Sequence, residues 1–149
     1  MHKLGFLFIA VLLTITSSPG SAQSGAKILT PDQLKWGPGG PQAKGVSVAP
    51  LAGTPNGTGW FVLRVKMNPG AHNPPHTHKT TEILEIISGT LNVGFGATVN
   101  RSRTRAVSAG SVVVIPAGVP HYTMATDTVQ YDVSGMGPST NIPIKKGSM

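Results

Sequence analysis

The 149-residue chain contains no cysteine, so disulfides and a lipid-modified cysteine anchor are both excluded. Stability must come from packing and from whatever the folded chain binds. Only 5 acidic residues stand against 12 lysines and arginines, a formal charge of +7. A balance this basic raises nucleic acid as a partner. The chain lacks the basic helix and the aromatic–basic interleaving that such a partner uses, so no nucleic-acid role is expected. Its apolar runs are short, and the longest falls well below the roughly 20 residues of a membrane span. Long amphipathic periodicity and internal repeats are absent too, which argues against a helix-rich domain and a tandem pair. With 39% hydrophobic and 11% charged residues, the composition is that of one compact folded domain.

Turn chemistry, by contrast, is abundant: 19 glycines and 13 prolines, spread without a period, imply many short strands. The first residues follow a different logic. Met1-His2-Lys3 is a short basic start, Leu4 to Ile15 is almost wholly apolar, and Gly20 and Ala22 supply small residues before Gln23. This is the three-part pattern of a secretory signal peptide. Residues 1–22 are therefore expected to be removed and the protein exported, periplasmic or secreted, with no stable membrane anchor afterwards.

Residues 23–59 read as an N-terminal arm with edge strands. Thr30-Pro31-Asp32-Gln33 is a capping box that can open only one turn before the glycine–proline run at 37–41, and Val46 and Val48 mark a short strand. Residues 60–136 read as the core of a barrel. Phe61, Leu63, Val65 and Met67 alternate with Arg64 and Lys66, and further strands are predicted at 83–87, 91–95, 112–115 and 129–133. Residues 137–149 read as a C-terminal tail. Such a pattern predicts an all-β sandwich or closed roll. Arg101, Arg103 and Arg105 are expected on one face of a strand, as a solvated edge that resists aggregation.

The chemistry lies in the histidines. His76 and His78 are two apart and Glu82 follows four later. On a helix, side chains two apart face nearly opposite ways and could not share an ion. On an extended strand, positions 76, 78 and 82 project from one face, and Pro74-Pro75 disfavours helix as well. Two imidazoles and a carboxylate are thus aimed at one point, and His121 is the candidate fourth ligand. His72 shares the parity but is assigned to a turn beside Pro74. Glu85 has the opposite parity and should point outward. Whether Tyr122, Tyr131 and Asp132 reach the cavity is not fixed by the sequence.

These residues carry a resemblance. The run from Gly70 through His76, His78 and Glu82 to Gly89 resembles the first motif of the cupin superfamily, and Gly110, Pro116, Gly118 and His121 match the second. At a few per cent per residue type, nine fixed positions agree by chance on the order of once in 10^11 registers. One departure exists: Ala125 stands where the second motif closes with asparagine. The surrounding text is similar to small single-domain cupins related to the zinc-binding module of anti-sigma factors. The resemblance implies a single-domain double-stranded β-helix (jelly-roll) barrel, often a homodimer. It also implies a metal site of His76, His78, Glu82 and His121.

Three imidazoles and one carboxylate leave open positions on a six-coordinate ion, the layout of a catalytic or ligand-binding centre. Fe, Mn, Ni, Cu or Zn all suit these donors. The expectation is a metal-dependent enzyme acting on a small molecule, an oxidoreductase of dioxygenase type. The alternative is a module that binds or senses metal and a small ligand without turnover. A germin-like oxidase is disfavoured by the short chain and the missing cysteines.

Overall fold

Strand boundaries in the computed structural model, which describes residues 25–144, fall where the turn residues stand. The expected leader, residues 1–22, lies outside the described residues. The chain forms β1 (Gly37–Pro38), β2 (Val46–Ala52), β3 (Trp60–Met67), β4 (His72–Thr77), β5 (Glu82–Ser88), β6 (Thr90–Phe95), β7 (Arg105–Ser108), β8 (Val112–Ile115), β9 (His121–Met124), β10 (Val129–Met136) and β11 (Ile142–Pro143). Among the described residues the helical pieces are two single 3-10 turns, Pro31–Gln33 and Arg101–Arg103. The first is the expected capped turn, with the Thr30 N–H donating to Gln33 Oε1 at 3.0 Å.

Two antiparallel sheets face each other. One has six strands in the order β1-β2-β3-β10-β5-β8, the other five in the order β11-β4-β9-β6-β7. Consecutive strands repeatedly change sheet, β3 to β4 to β5 for example, which is the crossing pattern of a jelly roll. The all-β barrel predicted by alternation is present.

Alternation decides which side of each strand is buried. On β3, Phe61, Val65 and Met67 turn inward. On β10, Val129, Tyr131 and Val133 do the same, and Leu84, Ile86, Leu91, Val93 and Ile115 close the core from the remaining strands. Each such fully buried side chain contributes about 1.5–3 kcal/mol relative to exposure. Outside, Arg64 and Asp132 sit directly opposite in the β3–β10 register and form two hydrogen bonds of 2.8 Å. Asp132 therefore does not reach the cavity. Tyr122 is buried but also turned away from it: its ring lies across Gly94, where any Cβ would overlap it. Its hydroxyl accepts from the Asn100 N–H and donates to the Asn100 carbonyl, both at 2.9 Å.

Two further expectations need correction. The arginines 101, 103 and 105 do not share a strand face. Asn100 caps the turn Arg101–Arg103 by accepting from the Ser102 N–H at 3.1 Å, and only Arg105 enters β7. An asparagine cap outcompeted the period-2 reading. His72 stands at the start of β4, paired with Met124, rather than in a turn, and is exposed.

Candidate metal centre

Pro74-Pro75 hold the chain extended, and His76 follows on β4 directly opposite His121, the first residue of β9. His78 lies just past the end of β4. Glu82 opens β5 and so belongs to the other sheet. The sequence argument placed 76, 78 and 82 on one strand; in the fold the chain turns a corner at Lys79-Thr80-Thr81 between them. Convergence survives because the corner carries Glu82 across the gap between the sheets, to face the histidines rather than extend their row.

All four side chains are buried, at 4% (His76), 6% (His78), 8% (Glu82) and 1% (His121) exposure. Glu82 Oε2 lies 3.4 Å from Nε2 of both His78 and His121. One donor atom from each of the four residues lies within 4.8 Å of the others. Donors about 2.0–2.2 Å from a shared ion are separated by at most about 4.4 Å, so a small contraction would close the set.

The outer ring nitrogens explain why the inner ones converge. His76 Nδ1 lies 2.7 Å from the Pro74 carbonyl and His121 Nδ1 lies 3.0 Å from that of Val119. A carbonyl can only accept, so each Nδ1 carries the proton and each Nε2 presents a lone pair. In both cases the carbonyl belongs to the residue two positions earlier. His78 differs: its Nδ1 lies 3.3 Å from Ser139 Oγ, in the segment between β10 and β11. His78 Nε2 is buried without any hydrogen-bond partner. A buried imidazole nitrogen without a partner is costly unless something fills the space before it, so the donor set fits a metal ion.

Electrostatics agree. Burial pushes the His76 pKa down to about 4, against the weaker upward pull of the Pro74 carbonyl. Burial lowers His78 as well. For Glu82 burial acts upward, yet the three imidazoles packed around its carboxyl outweigh it and hold the group below its ordinary range. Neutral imidazoles and an ionised carboxylate are the protonation states that ligate metals.

The quartet forms the floor of a chamber of about 660 Å³. Phe61, Leu63, Val65, Leu84 and Val133 wall it, together with Tyr131 and Thr123. Burial raises the Tyr131 hydroxyl, so it stays a neutral phenol. The mouth comes from regions that sequence reading left as arm and tail: residues 38–43, Pro55-Asn56 and residues 139–143. The last of these is held down by Ser139 N–H donating to the Pro55 carbonyl at 2.7 Å and by β11 pairing with β4. Neither Ser139 nor the mouth loops carried a local sequence signal for this role. Glu85 points outward as expected, and of the two tyrosines only Tyr131 lines the chamber.

Comparison with known proteins agrees with this geometry. Residues 27–145 match the family model described as Cupin. Germin-like protein 5-1 of Oryza sativa is 43% identical over 79 residues, 52% of this chain and 35% of that protein. Germin-like protein subfamily 2 member 4 of Arabidopsis thaliana is 38% identical over 89 residues, 59% and 40% of the two chains. The chain thus spans well under half of the length of these relatives. Neither is an anti-sigma factor, and the lack of cysteine does not separate the chain from germin-like proteins. Among solved structures, the polyketide cyclase RemF from Streptomyces resistomycificus superposes with a TM-score of 0.67 at 21% identity, covering 81% of this chain and 88% of that one. An RmlC-like cupin from Shewanella frigidimarina gives 0.61 at 14% identity, covering 81% and 94%. At such identities the likeness is one of fold. The barrel, the motif spacing and the family match together place this chain in the cupin family.

Proposed function

We propose that the protein is a metal-dependent enzyme acting on a small molecule, an oxidoreductase of dioxygenase type, with His76, His78, Glu82 and His121 as the ligands of one divalent transition metal. The observation that carries this reading is the orphaned, buried Nε2 of His78, directed with three other donors to the floor of a chamber large enough for a substrate. Bound there, Fe, Mn, Ni, Cu or Zn would supply Lewis acidity or one-electron chemistry to a coordinated oxygen. The chain's own residues have simpler tasks. Pro74 and Val119 fix two imidazole tautomers, the apolar walls exclude water, and the Tyr131 hydroxyl remains a neutral hydrogen-bonding group.

A second reading is a module that binds or senses metal and ligand without turnover. It is favoured by one observation: among the described residues lining the chamber, the only titratable groups beyond the quartet is Tyr131. The germin-like relatives do not decide between the two, and a pea relative, 37% identical over 68 residues, is named rhicadhesin receptor. Export rests on the leader pattern of residues 1–22. Pairing into a homodimer is supported by the edge strand β8, whose Val112 and Val114 are 59% and 58% exposed.

Elemental analysis of the purified protein, beside a His76→Ala/His121→Ala variant, tests the site. About one equivalent of metal in the parent and none in the variant is expected. Substrate-dependent O2 uptake, lost in His78→Ala, would separate enzyme from sensor. Absence of metal in both proteins would overturn the reading.

A further inference from the structure

The walls of the chamber bear on what it takes, an inference that rests on the metal reading above. The chain carries 12 lysines and arginines. Among the described residues none of them lines the chamber, and no aspartate does. Its ionisable groups are the three imidazoles, Glu82 and the phenol of Tyr131, which burial keeps neutral. With a divalent ion on the quartet and Glu82 ionised, the fixed charge is about +1 and sits at one point on the floor.

One negative charge can be matched there. A second charge on the same molecule would lie against Phe61, Leu84 and Val133, where nothing pairs with it, and an unpaired buried charge is strongly disfavoured. The remaining polar lining is uncharged. Near the mouth it consists largely of carboxamides, those of Asn73 and Asn141 lying 3.5 Å apart. Carboxamides donate and accept, which suits a neutral hydroxyl or carbonyl. Size points the same way: about 660 Å³ lies within the roughly 300–1,000 Å³ of sites for drug-sized ligands, well above the need of a small diacid.

We infer that the substrate is a neutral, largely apolar molecule that meets the metal through one hydroxyl or carbonyl oxygen, of phenol or enol type. A small dicarboxylate and a phosphorylated sugar are disfavoured by the same charge argument.

Zinc-loaded protein, in which no redox turnover occurs, is titrated calorimetrically with 4-butylphenol, malonate and glucose 6-phosphate, with zinc content measured before and after. The phenol is expected to bind at least about tenfold more tightly than either anion. Leu63→Lys, which puts a cation on the half-buried wall, should narrow that ratio while a melting curve confirms that the variant is folded. Equal or tighter binding of either anion by the parent, or no binding of the phenol, overturns the substrate class. Failure to retain zinc overturns the metal reading instead, and the same three titrations of metal-free protein then decide the substrate class on their own.

Discussion

The floor and the mouth of the chamber are built by opposite means. The floor is carried by β4, β5 and β9, where hydrogen-bonded register fixes His76 against His121, and two imidazoles take their Nδ1 partners from carbonyls two residues earlier. The mouth is carried by residues 38–43, 55–56 and 139–143, held by the two-residue edge strands β1 and β11 and by isolated hydrogen bonds such as that from the Ser139 N–H to the Pro55 carbonyl. Local geometry holds the first; only the completed fold holds the second. Chemistry that must not vary sits where the sheet dictates position, and ligand choice sits where loops can change without disturbing the strands.

Charging the floor should have the largest effect. In metal-free protein His76 is held neutral, with a pKa of about 4 against 6.5 for the free side chain. Below pH 6.5 the unfolded chain takes up a proton that the native state refuses until about pH 4. The unfolded state therefore binds more protons through that window, and stability falls as pH falls across it. The loss from this one group reaches on the order of 3 kcal/mol, to be read from urea unfolding of chelator-treated protein at about pH 7.5 and about pH 4.5. His76→Ala should flatten that dependence; an unchanged slope would show that the imidazole is not held neutral.

Breaking the mouth should act differently. Gly137 lies so close to the 55–57 loop that a Cβ would overlap the Gly57 carbonyl. Gly137→Ala is expected to cost about 1–3 kcal/mol, as overpacking does, and to displace the segment that covers the chamber. Ligand affinity should fall, while metal affinity falls by no more than removal of the Ser139 hydroxyl alone produces. If metal is lost as well, floor and mouth are one cooperative unit and the contrast between them is wrong.

Ser139 is where the two regions touch, and it sharpens the contrast further. Removing its hydroxyl leaves His78 Nδ1 without the 3.3 Å partner that orients the ring. Ser139→Ala should weaken metal affinity about tenfold, the low end for loss of a group that orients a ligand, with Ser139→Thr restoring it. Competition against a chromophoric chelator measures this directly. Affinity unchanged in the alanine variant would mean that His78 is positioned by its backbone alone.

This division also explains what the sequence could show. The alternation of Phe61, Val65 and Met67 announced β3, and the spacing of His76, His78, Glu82 and His121 announced the floor, because period and parity are local properties. Glu82 was assigned to the wrong strand, since nothing in Lys79-Thr80-Thr81 announces a corner between two sheets. Ser139 was invisible because its role depends on a contact across 61 residues, and the mouth loops were missed because they carry no periodic pattern. The Arg101–Arg103 turn was missed for a smaller reason: a single asparagine cap outweighed an apparent alternation.

Asp132 offers the finest test, with the smallest expected effect. It stands on β10 between Tyr131 and Val133, both of which line the chamber, so a slip of one residue in register would exchange wall and surface. In the observed register its carboxylate holds Arg64 on the outer face, and that bond raises the Arg64 pKa. Both partners are partly exposed, so Asp132→Asn should cost only about 1 kcal/mol, in line with a well-aligned surface pair. Metal content and ligand affinity should equal those of the parent, because no atom of the pair faces the chamber. A change in either would place Asp132 inside, reverse the parity of β10, and with it remove Tyr131 and Val133 from the wall on which the apolar substrate class depends.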